Sequence, residues 1–86
     1  MGRYLVELYV PPGQADDLEA ATARARSAAD DASSDGAPIN CLRSIFVPED
    51  ETWFLLYEAP TAAAVRDAVD RAALPCARIV EAVAPG

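Results

Sequence analysis

The chain has 86 residues, 52% of them hydrophobic, and sets 14 Asp and Glu against 7 Arg, with no Lys and no His, for a formal net charge of -7. A surface this acidic repels phosphate backbones and anionic lipid, which argues against nucleic acid and membrane as partners. A chain of this length makes a single domain, residues 1–86, whose core is barely sufficient, and the missing histidine and lysine remove the commonest general base, the commonest metal ligand and Schiff-base chemistry.

The first predicted element is a strand over residues 3–10, where Tyr4, Leu5, Val6, Leu8, Tyr9 and Val10 make both alternating faces apolar apart from Glu7. This run is too short and too interrupted for a signal core, and no apolar run approaches the length of a membrane span, so a cytoplasmic protein is expected. Pro11-Pro12-Gly13 ends the strand. From Gln14 to about Ser33, Leu18, Ala21, Ala25, Ala28 and Ala32 recur at helical spacing, and Asp16, Asp17 and Glu19 suit the positive end of a helix dipole. Gly36 and Pro38 stop this helix and open a loop.

A second strand is expected over Ile39 to Val47 and a third over Thr52 to Glu58. The short turn Pro48-Glu49-Asp50-Glu51 makes them antiparallel neighbours. Thr61 stands where a helix N-cap belongs. The stripe Ala64, Val65, Ala68, Val69 and Ala72 follows, with Arg66–Asp70 and Asp67–Arg71 as pairs four apart outside it. Leu74-Pro75 ends this helix, Ala77 to Val83 alternates as a half-buried edge strand, and Ala84-Pro85-Gly86 is expected to fray.

The order strand, helix, strand, strand, helix, strand is the α+β, ferredoxin-like βαββαβ arrangement, a four-stranded antiparallel sheet with two helices on one face. Right-handed crossovers give the spatial order 4-1-3-2. The two central strands are the two that are apolar on both faces, yet the helices cover only one. The uncovered face carries Leu5, Glu7 and Tyr9, joined on the third strand by either Trp53, Leu55 and Tyr57 or Phe54 and Leu56. A soluble monomer rarely exposes such a patch, so a homodimer packed sheet to sheet is expected. A cleft between two such sheets suits a small organic ligand, with Glu7, Tyr9, Arg43, Trp53 and Tyr57 as candidate ligand-binding residues; their plainer roles are interface core and ion pairing.

Other chemistry is thinly supported. The four glycines form no phosphate-binding loop. Cys41 and Cys76 fall on opposite sheet edges, roughly 14 Å apart at about 4.8 Å per strand, out of reach of an intrachain disulfide. Cys41 could join carboxylates across a dimer axis to hold zinc or nickel, but a buried structural thiol is the simpler expectation. Glu49, Asp50 and Glu51 diverge on a turn and make no cation cage.

The segments Arg3-Tyr4-Leu5-Val6-Glu7, Ser44-Ile45-Phe46-Val47-Pro48-Glu49-Asp50, Tyr57-Glu58-Ala59-Pro60 and Leu74-Pro75-Cys76-Ala77-Arg78-Ile79 resemble the DUF4242 family of small bacterial proteins. The resemblance implies a ferredoxin-like domain, a dimer and, in one member, nickel held by ligands that include histidines. A typical member carries His just before the serine that matches Ser44. Here that place is Arg43, a permanent cation that cannot ligate a metal, so no catalytic residue, metal ligand or cofactor is assigned. The expected function is a dimeric small-ligand-binding module. The alternatives are an αβ-barrel-type enzyme of monooxygenase or isomerase kind, with Glu7 or Tyr57 as its acid-base group, and a purely structural or protein-interaction domain.

Overall fold

The computed structural model describes residues 1–36 and 38–83, and all of their side chains except those at 12, 15, 76 and 77. The expected fraying of 84–86 lies outside the described residues. The elements are β1 (Gly2–Tyr9), α1 (Leu18–Ser34), β2 (Asn40–Val47), β3 (Thr52–Ala59), α2 (Ala62–Arg71) and β4 (Cys76–Ala82). Their sheet order is β2-β3-β1-β4 with every neighbouring pair antiparallel, the α+β, ferredoxin-like order expected from the sequence. Helix α1 starts later than its apolar spacing suggests. The proline-led segment Pro12–Asp17 is wound as a tighter 3-10 turn, with the Gln14 N–H donating to the Pro11 carbonyl at 2.9 Å.

Small residues on α1 decide how the layers meet. Ala21, Ala25, Ala28, Ala29 and Ala32 are all buried, and a stripe without bulk brings the helix axis close to the sheet. The space beneath it must then be filled from the sheet side. Val6, Leu8, Trp53, Leu55 and Tyr57 do so, joined by Val65, Ala68 and Val69 of α2. Trp53 and Tyr57 therefore point toward the helices, which resolves the alternative left open on β3: Phe54 and Leu56 occupy the uncovered face.

The connections are closed by side chains placed for that purpose. The Ser33 hydroxyl donates to the Ile39 carbonyl at 2.9 Å and accepts from the Ile39 N–H at 3.0 Å, pinning the α1–β2 loop. Gly36 turns that loop at φ 115°, where an L side chain is strained. Thr61 caps α2 as expected, its hydroxyl accepting from the Ala64 N–H at 3.1 Å. Arg71 pairs with Asp67 at 2.8 Å as the spacing requires and also reaches Asp35 at 2.7 Å, tying the two helices; the Arg66–Asp70 pair is not among the ion pairs of the described residues.

Helix α2 ends in a Schellman motif. The Leu74 N–H donates to the Val69 carbonyl and the Ala73 N–H to the Asp70 carbonyl, with Ala73 left-handed at φ 56° and Leu74 buried like Val69. An alanine there bears a conformational penalty that glycine does not. Ala73→Gly is expected to stabilise the fold by about 0.5–1 kcal/mol, read as a higher urea midpoint at unchanged slope. A lower midpoint would contradict this reading of the helix end.

Candidate functional site

The face turned away from the helices is ordered by strand register into rows of side chains, each row about 4.8 Å from strand to strand. One row runs Val80, Leu5, Leu56, Arg43, and the next runs Arg78, Glu7, Phe54, Ile45. Flanking rows bring Arg3 beside Glu58 on one side and Tyr9, Thr52 and Val47 on the other. The centre is apolar, formed by Leu5, Phe54 and Leu56, with Val80 and Ile45 on the edge strands. Ile45 is 52% exposed and Tyr9 62%.

Charge surrounds that centre in balanced form. Glu7 and Arg78 lie side by side and join at 2.8 Å, and Arg3 approaches Glu58 at 4.0 Å. The Tyr9 hydroxyl donates to the Glu51 carboxylate at 2.8 Å, and this bond, with the negative charge beside it, raises the Tyr9 pKa above its ordinary value. Glu51 itself is held left-handed at φ 49° while its carbonyl accepts the Val10 N–H at 2.8 Å, so the β2–β3 turn is tied to the end of β1. The Arg43 side chain makes no hydrogen bond or ion pair among the described residues.

The five residues expected to line one cleft do not meet. Glu7, Tyr9 and Arg43 are on the uncovered face, whereas Trp53 and Tyr57 are 2% and 0% exposed on the opposite side of the sheet. The physical reason is the alanine stripe of α1, which needs the two large rings beneath it. Glu7 is paired with Arg78 at 2.8 Å, and Tyr57 faces away from the cleft it was to serve.

On the helix side, the Trp53 indole N–H donates to the Ser44 hydroxyl at 2.7 Å. The Thr22 proton is spent on the Leu18 carbonyl at 2.8 Å, so Ser44 donates to Thr22 at 2.9 Å, and the chain of bonds fixes the indole against α1. Trp53 lines a half-open cavity of about 190 Å³ with Leu8, Val10, Leu18 and Leu74, and with Arg24 beside it. Sequence reasoning missed this cavity. The available signal was Arg24, three residues after Ala21 and four before Ala28, on the border of the buried stripe.

Toward the other end of β3, Cys41 sits opposite Tyr57 in register. Burial pushes its thiol pKa up, against the opposing pull of Arg26 and of the Tyr57 hydroxyl, which both favour the thiolate. Cys76 begins β4, on the opposite edge of the sheet from Cys41. No group of three or more His, Cys, Asp or Glu side chains among the described residues could hold a metal ion. No helix among them is long and apolar enough to cross a membrane.

A family model described as "Nickel responsive protein SCO4226-like" matches residues 4–82. Among solved structures, the chain is similar to the crystal structure of SCO4226 from Streptomyces coelicolor A3(2), with a TM-score of 0.80 and 19% identity over 98% of this chain and 99% of that one. At that identity the likeness shows the fold alone. No match is found among curated proteins.

Proposed function

The chain belongs to the nickel-responsive SCO4226-like family, and on that premise we propose that it works as a homodimeric binding module, closed sheet to sheet over the face of Leu5, Phe54 and Leu56. The observation that carries this reading is the composition of that face. It sets three arginines, Arg3, Arg43 and Arg78, against three glutamates, Glu7, Glu58 and the Glu51 that accepts from Tyr9, for no net charge. The whole chain has a net charge of -7. The acidity therefore lies elsewhere, and this is a surface on which two acidic copies approach without repulsion. An apolar centre inside a polar rim is also the anatomy of a protein interface. Glu7, Tyr9 and Arg43 then serve as rim rather than as ligand-binding walls.

Nickel does not fit the donor set of this chain. It has no histidine, Arg43 stands just before Ser44, and the described residues supply no cluster of donors. The function is accordingly assigned to binding without a resident metal. The paired charges of Glu7 and the burial of Tyr57 beneath α1 favour binding over catalysis.

Because a dimer's stability follows mass action, the melting temperature is expected to rise by several degrees, about 3–8 °C, between micromolar and near-millimolar protein. A melting temperature constant over that range overturns the pairing.

A further inference from the structure

The dimer face leaves a second feature without a role, the helix-side cavity under the start of α1. We propose that this cavity binds a small carboxylic acid with an apolar body no larger than one aromatic ring, its carboxylate set on Arg24. The proposal extends the reading of the protein as a binding module but does not depend on pairing, since the walls Leu8, Val10, Leu18, Trp53 and Leu74 lie on the helix side of the sheet, away from the face of Leu5, Phe54 and Leu56.

Size sets the body of the ligand. The cavity measures about 190 Å³, and an apolar cavity of roughly 150 Å³ accepts benzene. Its walls are Leu8, Val10, Leu18, Trp53 and Leu74. They are rigidly placed, Trp53 through Ser44 and Thr22, and Leu74 through the α2 helix end. A preformed apolar wall that needs no reordering favours binding.

Charge sets the head. Arg24 borders the cavity, is exposed, and has neither an ion-pair nor a hydrogen-bond partner among the described residues. A guanidinium free of partners is a ready site for a bidentate carboxylate. The Gln14 amide at the same mouth offers a neutral donor, and Asp17 lies there too. That single carboxylate disfavours ligands with several negative charges, and it accommodates an ammonium group where the acid also carries one.

Trp53 is the protein's one tryptophan, so its fluorescence reports directly on occupancy. The probes are phenylacetate, an acid without an amine, and L-phenylalanine, which has one. At least one is expected to shift Trp53 emission saturably in the millimolar range or below, and the stronger of the two tells whether Asp17 takes part. Arg24→Gln should weaken that binding about tenfold or more. Arg66→Gln, an exposed arginine on α2 that does not line the cavity, should leave it unchanged, as should Leu56→Asp on the far face of the sheet. Absence of a saturable shift with either probe, or equal binding by Arg24→Gln and wild type, overturns the assignment. Binding retained in a monomeric Leu56→Asp protein separates this site from the dimer face.

Discussion

Tyr57→Ala is expected to destabilise the protein by about 3–5 kcal/mol, measured by urea unfolding, and to leave a large unfolded fraction at physiological temperature. Tyr57 is 0% exposed and heads the fully buried side chains by size. Removing its ring beneath an alanine-surfaced helix leaves a cavity that neither α1 nor the sheet can collapse to fill. A domain of this length has only about 4–13 kcal/mol of total stability to lose. Phe54→Ala, three residues earlier on the opposite face, is expected to lower the stability of the isolated subunit by less than half as much. Equal losses at the two positions would contradict the assignment of faces.

Leu56→Asp is expected to weaken self-association about hundredfold or more while leaving the subunit folded. Leu56 lies between Leu5 and Arg43 across the strands, near the middle of the uncovered face. In a lone subunit the new carboxylate meets water and the unpaired Arg43, an opposite-charge neighbour across the strands that offsets part of the lost packing. Between two sheets the same carboxylate loses its water, and a desolvation cost of several kcal/mol per ion is only partly offset by Arg43 beside it. Far-UV circular dichroism checks that the fold survives. A folded Leu56→Asp protein that associates as tightly as wild type would show that this face is not the contact.

Much of this architecture was legible in the residues. The central places of β1 and β3 follow from strands apolar on both faces, the cap at Thr61 from its position before an alanine-valine stripe, and the hairpin from Pro48-Glu49-Asp50-Glu51. The pleat of β3 was not legible. Trp53, Leu55 and Tyr57 are apolar, but so are Phe54 and Leu56, and a strand with two apolar faces has no phase of its own. Only the meeting of α1's alanines with the sheet sets it, and that is a tertiary fact. Of the candidate residues, Glu7 and Tyr9 were placed on the uncovered face by the alternation of β1, and Arg43 was added to them as a charged group. Trp53 and Tyr57 were grouped with them on residue type alone, and the sheet separates the two sets.

The start of α1 shows a similar limit. Its apolar spacing extends back toward Gln14, but Pro11-Pro12-Gly13 tightens the entry into a 3-10 turn before regular helix begins at Leu18. That turn carries Gln14 and Asp17 to the mouth of the cavity beside Trp53.

We propose that the uncovered sheet face is where a second copy docks. Sedimentation equilibrium at tens of micromolar protein tests it most directly. The wild type is expected at twice the 9.1 kDa chain mass, and Leu56→Asp at the single-chain mass. A wild type that sediments as a single chain at that concentration would contradict it.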